Sequence, residues 1–387
     1  MTSSSMLMVV WLLIFLCFGS VVVELEALSF QGPNILVVGA SGGTGLRALR
    51  GLLDAGYEPW QLIILTRNPS KLQAWNERFG FGIQQGNLDW WLDNDNDNDD
   101  DENDDENDGN NEQQKQQLLK AVQRCQGVYV HSTSSDTKAL DRGEEARAKT
   151  LCALLCQAAA QEKDEDDEDD ESQETSIIPV VYNSAVGEDG HGVERIQQKH
   201  DVEQIFLNET PNKIDFTALR ANLFMEELWK GYTRPGILNK GVYSFSTPSD
   251  RTIYLTSVRD MGFLAGKILQ QKLNGNGKET THHKRILNVA GDAKSAAEMA
   301  AAFAKAQDSP CVHKQSRVLA LLARLFFRDL YQIMRFYRKS TETTDIPSLT
   351  KEFGPLTDFE TFLNETNWGD RNLTYEDLAD ADRVLKG

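Results

Sequence analysis

The sequence predicts an α/β protein, a doubly wound parallel sheet with helices on both faces, followed by a smaller mixed α/β cap. Three observations lead there. Residues 35–46 read ILVVGASGGTGL, an apolar run feeding straight into a glycine turn and then into a helical pattern. Short apolar runs alternate with helical patterns five times before residue 208. That alternation calls for a parallel sheet covered on both sides, with right-handed crossovers. The chain of 387 residues is also long enough to bury a large core.

Ile35, Leu36, Val37 and Val38 form the first buried strand, and Leu46, Leu49, Leu52 and Leu53 mark one face of the helix that closes at Gly56. Between them stand Gly39, Gly42 and Gly45. The first glycine permits a tight turn, the second lets backbone approach a pyrophosphate, and the third lets helix and strand pack closely. The helix N-terminus adds free N–H groups and the positive end of the helix dipole. The spacing is GxxGxxG, and its strand–turn–helix setting points to dinucleotide binding.

Gln61-Leu-Ile-Ile-Leu-Thr66 is a second strand, ending in Arg67-Asn68-Pro69-Ser70-Lys71. A cofactor ribose would lie at this place, where an acidic residue would accept from the 2′-hydroxyl of NAD. Arg67, with Lys71 near it, suits the 2′-phosphate of NADP instead. A helix over 69–79 precedes a third strand, Phe81 to Gln85, and then Gly86-Asn87-Leu88-Asp89. Gly127 to His131 is the fourth strand, followed by Ser132 to Ser135. Glu144 to Gln161 is a helix with Ala148, Leu151, Cys152, Leu155 and Ala158 on one face. Ile177 to Asn183 is the fifth strand, ending in Ser184, and residues 192–206 form a helix bearing Lys199.

The formal charge of −19 has a local source. Residues 93–112 carry 12 carboxylates and residues 162–174 carry 10, and both runs read as disordered insertions. The rest is nearly neutral, so nothing favours nucleic acid as a partner. Five cysteines, Cys17, Cys125, Cys152, Cys156 and Cys311, show no metal spacing and read as thiols; no metal site is expected.

Residues 1–33 form a targeting or anchor segment. Leu7 to Val23 is almost wholly apolar, and Ala27-Leu28-Ser29-Phe30 resembles the cleavage motif of bipartite presequences for plastids of secondary origin. Plastid import is the expectation, with ER lumen or a membrane anchor as the alternative. The sequons at Asn208, Asn364 and Asn372 matter only in the secretory route.

With these residues in hand, the chain resembles the NmrA-like group of atypical short-chain dehydrogenases/reductases, which includes isoflavone-reductase-like enzymes. The resemblance rests on GASGGTG, TRNPSK, YNSA, KHDVEQIF and DFTALRANLFMEEL, and more loosely on FGPLTDFETFL near the end. It implies a Rossmann-like NADP-binding domain over residues 34–220 and a substrate-covering cap over 221–387. It also implies that Gly39, Ser41, Gly42, Thr44 and Gly45 hold the pyrophosphate and Arg67 the 2′-phosphate. Asn87 and Leu88 would lie by the adenine, Ser132 and Thr133 by the ribose and nicotinamide. Lys199 matches the lysine that hydrogen-bonds the nicotinamide ribose and, in reductases, helps move a proton. Ser184 stands where a polarising hydroxyl sits. The tyrosine that typical members carry four residues before the lysine is replaced by Arg195, which cannot donate a proton near neutral pH. Two functions remain: an NADPH-dependent reductase of a small carbonyl, quinone or enone, or a non-catalytic NADP-responsive regulator or plastid assembly factor with a protein partner.

In the C-terminal part, Asn222, Phe224 and Met225 are the candidate substrate-facing residues. A strand pair is expected over 241–255, a helix over 258–273, a strand over 285–290 and a helix over 295–306. Residues 316–339 are apolar with Arg317, Arg324, Arg328 and Arg335 near one face. Such a helix either packs on the cap with its arginines in water or lies on an anionic membrane.

Overall fold

The computed structural model describes residues 33–86, 88, 116–132, 143–161, 177–187, 192–208, 213–274, 284–316, 324–325 and 328–379. The leader apart from Pro33, both acidic runs, Asn87, Thr133 and Arg317 lie outside them.

Strands run in chain order β1 (Ile35–Val38), β2 (Leu62–Thr66), β3 (Gly82–Gln85), β4 (Gly127–Val130), β5 (Ile178–Ala185) and β6 (Ile214–Ala221). Then follow β7 (Leu223–Phe224), β8 (Val242–Phe245), β9 (Thr252–Thr256), β10 (Lys284–Val289), β11 (Asp292–Ser295) and β12 (Val312–Gln315). The helices used below are α1 (Gly43–Asp54), α2 (Gln73–Phe79), α3 (Glu144–Gln161), α4 (Glu194–Asn208), α5 (Arg234–Lys240), α6 (Val258–Asn274), α7 (Ala296–Ala306) and α8 (Arg328–Lys339).

The main sheet has seven strands in the order β3-β2-β1-β4-β5-β6-β10, all parallel. Strand order reverses between β1 and β4, which opens a crevice at the carboxyl ends of those two strands. The two-residue period of a strand sorts the core into two layers. Ile35, Val37 and Tyr129 face α1 and α6, whereas Leu36, Val38, Val128 and Val130 face α3 and α4.

The helices α1 and α6 touch through backbone. A Cβ added at Gly51 would stand 1.9 Å from the Arg259 carbonyl oxygen, and one at Gly262 1.8 Å from that of Ala48. Only glycine at both contacts lets the helices approach this closely.

Residues after 220 divide between two bodies of structure. Helix α6 packs on the sheet, and β10 becomes its edge strand, paired in parallel with β6. The expected strand pair over 241–255 forms as two strands that do not pair with each other. β8 pairs with β12 in parallel, and β9 joins β11 and β7. Such pairings join segments far apart in sequence and leave no trace in local periodicity. The cap has its own core, with Trp229, Tyr243, Met299, Phe303, Phe359 and Trp368 all nearly or fully buried. Arg234 locks the tail onto this core. Its guanidinium lies 3.9 Å over the Trp229 ring and donates to the carbonyls of Trp368 (2.6 Å), Asp370 (2.7 Å) and Leu373.

Candidate dinucleotide site

The crevice is built from the ends of β1, β2, β4 and β5. At the end of β1, Gly39 adopts a left-handed φ of +80°, and a Cβ there would meet the Ser132 carbonyl oxygen at 2.2 Å. Both facts require glycine, because the turn presses directly on the end of β4. Gly45 is equally confined, since its Cβ would lie 2.5 Å from the Ala40 backbone. Gly42 is the opposite case: among the described residues, nothing stands within 4 Å of a Cβ at the helix start.

Gly42 caps α1 without a side-chain bond, and the first turn carries no acidic residue. The first N–H groups and the positive dipole end are therefore left for an anion. Ser41 and Thr44 are half-buried beside them. On the adjacent strand, Arg67 is exposed at the end of β2, and Asn68 braces the following turn by accepting from the Ser70 N–H at 3.2 Å. Leu88 does not offer its side chain to a ligand: it is 4% exposed and belongs to the core with Leu65 and Leu118.

At the end of β4 stands His131, which the sequence did not single out as a site residue and which is buried among polar groups. Its Nε2 lies 3.2 Å from Thr44 Oγ1, and its Nδ1 lies 3.2 Å from Tyr129 Oη and 3.3 Å from Asn183 Nδ2. Burial, reinforced by the charge of Lys199, pushes its pKa down to about 4, so the ring is neutral at pH 7. Ser132 follows, half-buried against Gly39.

Lys199 projects from α4, its ammonium ion-paired with Glu144 and 5.8 Å from the centre of the Tyr182 ring. Glu144 begins α3, where an acidic residue is ordinarily read as complementing the helix dipole. Ser184 is used elsewhere than expected. Its hydroxyl donates to Glu203, a fully buried carboxylate that Arg220 grips through Nε at 2.9 Å and Nη2 at 2.6 Å. Burial and the carboxylates of Glu144 and Glu203 push the Tyr182 hydroxyl well above its ordinary pKa.

The substrate candidates are also repositioned. Asn222 donates its amide to the Val289 carbonyl (3.0 Å) and Thr344 Oγ1 (2.9 Å), tying the end of β6 to β10. Met225 is fully buried in the cap core, because the turn after β7 directs it there with Leu228 and Trp229. Phe224 is half-buried against the core beneath the sheet.

Over the end of β5 lies α8. Phe336, Ile333 and Tyr337 pack on Ala185, Val186, Val193 and Ile196, while Arg328 bonds Glu194 at 2.6 Å. Arg324, Arg328 and Arg335 are exposed, and so are Leu325 and Leu330, while Ile333, Phe336 and Tyr337 pack within the fold. Among the described residues, no helix is long and apolar enough to cross a membrane, and no three His, Cys, Asp or Glu side chains converge as a metal site.

No protein-family model matches the chain, and no curated protein matches it in sequence. Solved structures do match in fold. The Citrobacter triphenylmethane reductase complexed with NADP(H) is 14% identical, with a TM-score of 0.59 over 86% of this chain and 99% of that one. An NADPH-dependent quinone oxidoreductase from Escherichia coli, complexed with NADPH, is 18% identical with a TM-score of 0.58 over 85% and 97%. The negative transcriptional regulator NmrA, in complex with NADP, is 14% identical with a TM-score of 0.58 over 87% and 95%. The chain has the doubly wound fold shared by these two reductases and the NmrA regulator.

Proposed function

We propose that this protein binds NADP(H) and uses NADPH to reduce a small carbonyl, quinone or enone. The observation that carries the binding is the uncapped start of α1 beside an open Gly42, with Arg67 on the neighbouring strand. That pairing offers N–H groups to a pyrophosphate and a guanidinium to a 2′-phosphate. The fold neighbours that hold NADP(H) support the same reading.

When bound, the nicotinamide supplies hydride. The chain's own part is to orient and to control the proton. Lys199, which Glu144 holds by an ion pair, would bond the nicotinamide ribose. Arg195 brings no hydroxyl to the tyrosine position, and Ser184 is committed to Glu203. The proton therefore reaches the product through Lys199 or water.

A second reading is a non-catalytic NADP-responsive regulator or plastid assembly factor, favoured by Arg195 at the tyrosine position and by the engaged Ser184. NADPH oxidation over a panel of quinones, enones and aldehydes, with wild type and Lys199→Ala, separates the two. Turnover lost in the variant supports the reductase. Tight NADPH binding with no turnover of any substrate leaves the regulator.

A further inference from the structure

The imidazole of His131 decides which way the Thr44 hydroxyl can bond, and we propose that it makes Thr44 a dedicated hydrogen-bond donor to an oxyanion seated at the start of α1. The ligand named here rests on the dinucleotide reading above.

Nδ1 of His131 faces Asn183 Nδ2 at 3.3 Å and Tyr129 Oη at 3.2 Å. As the Asn183 amide is turned, its nitrogen faces the ring and can only donate, so Nδ1 presents its lone pair, while Asn183 Oδ1 is left buried with no partner among the described residues. A neutral imidazole with a bare Nδ1 carries its proton on Nε2, which lies 3.2 Å from Thr44 Oγ1. Thr44 therefore accepts from His131 and keeps its own proton. Among the described residues, its oxygen has no other hydrogen-bond partner.

Thr44 is the second residue of α1, two residues beyond the N-cap Gly42. Its proton is thus delivered where the first-turn N–H groups already converge. The opposite tautomer would make Thr44 donate to His131 and turn a lone pair toward the anion, which repels it. His131 is 5% exposed, so water does not compete for the ring. In this arrangement Thr44 touches the ligand and His131 is a positioning residue acting through it.

The experiment is a double-mutant cycle on dissociation constants for NADPH and NADH at one fixed salt concentration. It uses wild type, Thr44→Val, His131→Leu and the double variant, with His131→Gln as the conservative form. Each single change is expected to weaken binding roughly tenfold, as befits a hydrogen bond to a charged group. The double variant should bind no more weakly than Thr44→Val alone, because the two residues make one interaction. NADPH and NADH should lose the same factor, since the pyrophosphate is common to both. His131→Gln can reach Thr44 with an amide N–H and should recover most of the affinity. In the protein without nucleotide, the ¹⁵N shifts of His131 should report the Nε2–H form.

Additive losses, or His131→Gln as weak as His131→Leu, would overturn the proposal. A Nδ1–H tautomer would also overturn it, independently of any ligand and of any variant's folding. Wild type binding neither nucleotide would instead remove the dinucleotide reading, and the ligand assigned here with it.

Discussion

Gly262→Ala tests how tightly α1 is set against α6. The new methyl would stand 1.8 Å from the Ala48 carbonyl oxygen, whereas ordinary contact begins near 3.4 Å, so α1 and α6 must part by about 1.6 Å. Overpacking of this kind costs about 1–3 kcal/mol, and the upper end applies because the obstacle is backbone and cannot rotate away. Alanine returns about 1 kcal/mol of helix propensity. The net loss is about 2 kcal/mol, read as a lower urea midpoint at unchanged m-value. Because α1 carries Gly42 and Thr44 at its start, NADPH affinity should fall with it. Gly236→Ala in α5 is the control: its nearest neighbour beyond the helix is 3.8 Å away, so it should be neutral or stabilising. Wild-type stability and affinity in Gly262→Ala would refute the close-contact reasoning.

His131 makes stability depend on pH. Its native pKa of about 4 lies below the ordinary 6.5, so between those values the unfolded chain binds a proton that the native state refuses. Stability is then full above pH 6.5 and falls by about 1.4 kcal/mol per unit toward pH 4, about 3 kcal/mol in all. The stability gap between wild type and His131→Gln should narrow by that amount over this window; parallel curves would contradict it. Arg47 and Glu226 form a buried pair at 2.9 Å that ties α1 to the turn after β7. Burial raises the Glu226 pKa and Arg47 lowers it, so Arg47→Met leaves an uncompensated carboxylate. Urea unfolding should show a loss of about 3–5 kcal/mol at pH 7, with most of it recovered in Arg47→Met/Glu226→Met.

The sheet and its first crossover were legible because their signals are local. Four consecutive apolar residues, three glycines and a helical stripe occupy residues 35–53, and the strand, the tight turn at Gly39, the close contact at Gly45 and the helix form there. Pairings set by distant contacts were not legible, as in β8 with β12 or β10 with β6. The site divides in the same way. Gly39, Gly42 and Gly45 are visible as a spacing, but His131 looks like the last residue of a strand until Thr44 and Asn183 are brought to it across 87 and 52 residues. Ser184 matched a familiar position, yet the partner that occupies it, Glu203, is on a helix and takes part in an ion pair with Arg220 that no sequence spacing announces. Met225 follows the same lesson: an apolar residue near a crevice is claimed by whichever core lies closest.

The central claim is that the crevice at β1 and β2 holds NADP through Arg67. Its most direct test compares dissociation constants of NADPH and NADH for wild type and Arg67→Asp. Wild type should prefer NADPH, and the variant should lose roughly tenfold or more for NADPH while NADH binding holds or tightens. Equal changes for the two nucleotides would contradict the assignment.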